Sequence, residues 1–180
     1  MNAWSTGEHH EAPKEDAVSK HVDREVLSGF ADEAYGYLPE IIDRIGALKK
    51  DRNDAGSLAE IHRLFHCIKG AASMVGVAAL GHVAFLAEET VDDLLADQRV
   101  LDDETIDVLM WTVEQIECYL DAAATGQLDE RSVLEEAVHR FHRLRGIPEN
   151  MDAATVEKFL GIAPAATTIV SVEGLGVGDA

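Results

Sequence analysis

Apolar residues recur every three or four positions along most of the chain, the mark of helices that bury one face. Leu27, Phe30, Ala34, Leu38, Ile41, Ile45 and Leu48 define a first helix, which Pro39 is expected to kink or break. A second helix, from Ser57 as N-cap, carries Leu58, Ile61, Phe65, Ile68, Ala72 and Val75 before Gly76 ends it. Leu80, Val83, Ala87, Val91 and Leu94 mark a third. Ile106, Met110, Val113, Ile116, Leu120 and Ala123 mark a fourth, from Asp102 or Asp103 to Gly126. Val133, Ala137, Phe141 and Leu144 give a shorter fifth. Because no useful run has the two-residue period of a strand, the pattern predicts an all-α fold: an antiparallel four-helix bundle with an additional C-terminal helix.

The ends lack this pattern. Residues 1–20 are polar and aperiodic and read as a disordered N-terminal segment, so the bundle domain is expected over 21–146. Residues 147–180 read as a flexible linker or tail, in which Asp152 can cap one short helix through Phe159. The small, Gly-rich end suggests a cut from a longer protein.

Charge and cysteine content narrow the partners. A net charge of −19 over 180 residues, from 34 acidic against 15 basic side chains, repels phosphate backbones and anionic lipid. Protein or small-molecule partners fit better than nucleic acid. Cys67 and Cys118 stand far apart with no C-x-x-C pair, and the N-terminus has no apolar leader core, so a cytoplasmic chain without direct membrane insertion is expected.

One stretch breaks the logic of a packed helix. In "IHRLFHCIKGAASMVG", residues 61–76, His66 falls off the apolar stripe with Lys69 beside it, and Gly70 occupies a mid-helix position where glycine costs about 1 kcal/mol relative to alanine. Glycine there leaves bare backbone next to the imidazole, open to close approach by another protein. If the second and third helices fold back at Gly76 and Val77, His66 lies eleven residues before Val77 and Glu88 eleven after, so the two are level. A carboxylate accepting one imidazole N–H fixes the tautomer and leaves the other nitrogen's lone pair outward as a nucleophile. Lys69 adds a point charge suited to a phosphoryl group.

His66, Lys69, Gly70 and Gly76 match an H-x-x-K-G-(five)-G pattern, and the surrounding chain, from "FADEAYGYLPEIIDRIGAL" to about Leu144, resembles histidine-containing phosphotransfer (HPt) domains. The similarity is to the N-terminal phosphotransfer domain of chemotaxis-type (CheA-like) histidine kinases in particular. It implies that His66 is the phosphoacceptor, with Lys69 assisting the phosphoryl group and Glu88 hydrogen-bonding the imidazole. It also implies a monomeric domain that takes the phosphoryl group from a histidine kinase catalytic domain using ATP and Mg. The group then passes to an aspartate of a response-regulator receiver domain. His62, Gly70 and Ser73 would lie on the partner-binding surface. No Gly-rich ATP lid or Walker sequence occurs here, so a relay is expected, with no cofactor of its own. The chain departs from the family at Phe85, where chemotaxis kinases often carry a second histidine; His82, one turn earlier, is expected to face solvent.

Two other readings compete with this one. His62 and His66 at i, i+4 with Glu88 could bind a metal, but the second E-x-x-H of a bundle metal site is missing and Lys69 would bring positive charge to it. An inert adaptor with acidic faces leaves Gly70 unexplained. His9, His10, His21, His139 and His142 read as ordinary surface histidines, and Cys67 as a packing residue.

Overall fold

The computed structural model describes residues 24–125 and 129–161; the N-terminal segment with His9, His10 and His21, the turn containing Gly126, and the tail from 162 lie outside the described residues. Six helices follow one another: α1 (Arg24–Leu48), α2 (Ala55–Val75), α3 (Ala78–Leu95), α4 (Asp103–Thr125), α5 (Glu130–Leu144) and α6 (Asp152–Phe159). A single 3-10 turn, Glu149–Met151, leads into α6. Helix α1 packs on α2 and α4, and α3 packs on the same two, which closes a four-helix ring. Helix α5 lies against α3 and α4, and α6 against α5 and α3. Among the described residues there is no strand.

The apolar stripes meet in one core. Ile41 and Ile45 of α1, Ile61, Phe65 and Ile68 of α2, Leu80 and Val83 of α3, Leu109 and Ile116 of α4, and Phe141 of α5 are all fully buried. Burying a side chain of this size contributes about 1.5–3 kcal/mol, which is what holds helices of weak intrinsic stability in place.

Several local expectations are corrected. Helix α1 runs unbroken through Pro39, whose exposed position puts the missing N–H on the solvent side, while Leu38, Ile41 and Ile45 carry the buried stripe past it. Helix α2 is capped by Asp54 rather than Ser57: Asp54 Oδ1 accepts the Ser57 N–H at 3.0 Å, and the buried Ser57 hydroxyl donates to the same carboxylate at 2.6 Å. Gly76 ends α2 at φ +81, a left-handed conformation that glycine adopts without strain, and its N–H returns to the Ala72 carbonyl. Packed structure also extends past 147, since the short helix at Asp152–Phe159 docks on the bundle.

That docking has two ends. At the start of α6, Asp152 accepts from His142 Nδ1 at 2.6 Å and from His139 Nδ1 at 3.1 Å. His142 is thus buried at 6% exposure, and neither histidine is the free surface residue expected from the sequence. At the far end, Phe159 stacks on His82 with ring centroids 4.1 Å apart and meets Phe85 edge-on at 6.4 Å. His82 is therefore covered by α6 instead of facing solvent, and burial pushes its imidazole below the ordinary value, partly offset by a hydrogen bond to the Phe159 backbone.

Candidate functional site: a histidine presented on the α2–α3 hairpin

The tight turn at Gly76 and Val77 sets α2 and α3 in a register where residues equidistant from Val77 face each other. His66 meets Glu88, Lys69 meets Phe85, and His62 meets Asp92. The predicted pairing is present: His66 Nδ1 donates to Glu88 Oε1 at 2.8 Å. The two partners differ sharply in exposure. The His66 side chain is 61% exposed, whereas that of Glu88 is only 9% exposed. The carboxylate is buried among α2 and α3, and the imidazole it holds stands in solvent with Nε2 outward.

A buried carboxylate needs compensation. Lys69 provides it, with Nζ 2.5 Å from Glu88 Oε2 and 5.8 Å from the centroid of the Phe85 ring. Burial pushes the Glu88 carboxyl up, but the Lys69 ion pair and the His66 hydrogen bond outweigh it, so the group lies below the usual carboxylate value and stays ionised. The sequence assigned Lys69 to an incoming phosphoryl group; in this structure the lysine is turned inward and holds the orienting carboxylate charged. Phe85 forms its apolar wall.

The remaining surface residues fall around His66 in different ways. Gly70 is exposed, and a Cβ there would meet nothing within 4 Å, which agrees with bare backbone beside the imidazole. Ser73 is exposed one turn further on, its hydroxyl donating to the Lys69 carbonyl at 2.9 Å. An open groove runs from Lys69, Ser73 and Gly76 past His82 and Phe85 to Lys158 and Phe159 of α6. Cys67 is half-buried, with Arg63 Nη1 3.9 Å from its sulfur.

His62 does not converge on Glu88 as the metal reading required. Its Nε2 is 3.0 Å from Asp92 Oδ1 and 3.8 Å from Glu88 Oε1, while Lys69 holds the other Glu88 oxygen. A cation would have to displace that ammonium. Asp92 is the residue that sequence reasoning did not single out; the same register that paired His66 with Glu88 also pairs His62 with Asp92.

Comparisons with known proteins bear on the family and the fold. The profile of the Hpt domain family matches residues 25–126, more than half of the chain. The chain belongs to the Hpt domain family, with distant similarity to CheA proteins. Chemotaxis protein CheA of Bacillus subtilis (strain 168) is 24% identical over 109 residues, which is 61% of this chain and 16% of that protein. The chain thus matches about a sixth of the length of that curated relative. Among solved structures, the phosphorylated P1 domain of CheA3 from R. sphaeroides, crystallised in complex with CheY6, aligns with a TM-score of 0.57 at 17% identity. The alignment covers 67% of this chain and 98% of that one, and supports the HPt-like fold. Among the described residues, no helix is long and apolar enough to cross a membrane.

Proposed function

We propose that this domain relays phosphoryl groups in a chemotaxis-type two-component pathway, with His66 as the phosphoacceptor. The observation that carries this reading is the exposed imidazole whose Nδ1 is held by a buried, ionised Glu88, leaving Nε2 free. A histidine kinase catalytic domain, separate from this one, supplies ATP and Mg. The Nε2 lone pair attacks the γ-phosphorus, an N–P bond forms, the bridging P–O bond breaks, and ADP departs with the electron pair. Nδ1 keeps its proton throughout, so the phosphorylated ring carries positive charge, which Glu88 stabilises.

The second transfer runs the same geometry in reverse. An aspartate carboxylate of a response-regulator receiver domain attacks phosphorus, the N–P bond breaks, and its electrons return to Nε2 to restore the neutral imidazole. Lys69 steadies the phosphoryl charge while remaining beside Glu88. His62, Gly70 and Ser73 form the face met by kinase and receiver in turn. A cytoplasmic setting, where both partners have access to ATP, fits this chemistry.

The test is transfer of labelled phosphate from ATP, through a chemotaxis-type kinase core, to the wild-type chain and to His66→Gln. An acid-labile, alkali-stable label in the wild type and none in the variant is the expected result. Equal labelling of both proteins, or no label with several active kinase cores, would overturn the assignment.

A further inference from the structure

The hairpin carries a second histidine–carboxylate pair one helical turn from the first. His62 contacts Asp92 through Nε2 at 3.0 Å, and its ring lies nearly parallel to that of His66, at 21° with centroids 6.4 Å apart. The two histidines use opposite nitrogens. His66 gives Nδ1 to α3 and keeps Nε2, while His62 gives Nε2 to α3 and keeps Nδ1. Because the two nitrogens of an imidazole point to opposite sides of the ring, both free nitrogens face away from α3, on the side where a phosphoryl group on His66 would stand.

That phosphoryl group has a shortage of cations. Lys69 can steady it only from its place beside Glu88, since moving away would leave a buried carboxylate without its main compensation. Arg63, the other cation on this part of α2, is held by Glu60 at 2.5 and 3.0 Å. His62 can supply a further charge. In the neutral tautomer that keeps its proton on Nε2, on the side of Asp92, Nδ1 presents a lone pair outward, which a phosphoryl oxygen repels. Taking up a proton turns Nδ1 into a donor, and the imidazolium stays ion-paired with Asp92 across the 3.0 Å contact from Nε2. The ion-pair partners of His62 among the described residues are Asp92 and Glu88, both from α3, with His66 stacked beside it on α2.

We propose that His62, aimed by Asp92, is a positioning residue for the phosphoryl group on His66: it takes up a proton when His66 is phosphorylated and donates from Nδ1 to the phosphoryl oxygens. The inference rests on His66 being the acceptor. By reciprocity, the proton on His62 favours the phosphorylated state of His66 to the same degree that phosphorylation favours the proton. Lower pH within the neutral range should then favour retention of the phosphoryl group, and higher pH its release.

The experiment phosphorylates the protein chemically with phosphoramidate, so that no kinase is needed, and follows the imidazole signals by NMR over neutral pH. The 31P signal and its loss in His66→Gln identify the phosphorylated site. On phosphorylation the titration midpoint of His62 is expected to move alkaline by about one pH unit, the size expected for a dianion a few ångström away in a mostly aqueous setting. In Asp92→Asn the movement should shrink, and in His62→Gln the pH dependence of phosphoryl loss should flatten. An unmoved midpoint in the phosphorylated wild type, an unchanged pH profile in His62→Gln, or phosphorylation of His62 in place of His66 would each overturn the proposal. Failure of kinase cores to label His66 would sink the relay but leave this coupling measurable, so the two ideas fail separately.

Discussion

Two sites in this molecule use the same pair of side chains for opposite ends. On the α2–α3 hairpin, His66 is 61% exposed and its carboxylate partner 9%; at the α5–α6 junction, His142 is 7% exposed and its partner Asp152 17%. In the first, burying the carboxylate fixes it as a mount and leaves the imidazole to meet other molecules. In the second, burying the imidazole makes the pair a clamp that fastens α6, with His139 as an additional strut on the same carboxylate. The chemistry of a histidine–carboxylate pair does not decide its role; which member is buried does.

The largest effects should separate the two sites. His66→Gln is expected to abolish phosphoryl labelling while leaving denaturant stability within about 0.5 kcal/mol, because an exposed side chain is exchanged. His142→Ala should do the reverse, lowering stability by about 2–3 kcal/mol through a cavity and an unpaired Asp152, with labelling per folded molecule retained. If His142→Ala abolishes labelling in fully folded protein, the division between mount and clamp is wrong. A smaller but still large effect belongs to Glu88→Gln, which keeps the size and loses the charge. It should slow labelling by about 100-fold, as measured by initial rates.

A milder contrast appears with pH. His82 is held below its ordinary value, so the stability it lends to α6 is present above the usual imidazole range and falls as pH drops through that range. Glu88 is also depressed, so its contribution is complete above the usual carboxylate value and is lost only as pH falls through the lower folded value. Acid should therefore loosen α6 before the His66 mount. Protection of the α6 amides, taken relative to the intrinsic exchange rate at each pH, should fall between about pH 7.5 and about pH 5.5 while that of α2 and α3 holds; a fall in all three together would remove the distinction. Smallest of all, Gly70→Ala should stabilise the bundle by up to about 1 kcal/mol, since the added methyl meets nothing. Gly70→Leu should keep that stability yet slow transfer several-fold, and normal transfer in it would end the clearance argument.

Much of this was legible in the sequence because it depends on local spacing. Apolar residues three and four apart placed α1 to α5, and equal distance from Val77 placed Glu88 beside His66. What escaped depends on contacts between distant elements. His82 and His142 look like surface histidines until α6 is laid over them, and nothing in the periodicity of α3 or α5 says that a helix some 10 to 80 residues later will do so. That α1 continues past Pro39 without a break is not legible in the sequence, since it depends on the proline falling on the solvent side. Lys69 was placed on the right face, but its inward turn follows from the burial of Glu88, a property of the packed hairpin.

The turn at Gly76 has one more consequence, for how the molecule comes into being. Only 22 positions separate His66 from Glu88, and the fold-back between them needs no other part of the chain to define its register. Contacts this short in sequence have a small loop-closure cost and tend to form early, whereas the seating of Phe159 on His82 must wait for α3 to meet a helix that follows it by two further helices. During synthesis, the part of the domain that reacts is therefore laid out well before the part that fastens its C-terminal helix has left the ribosome.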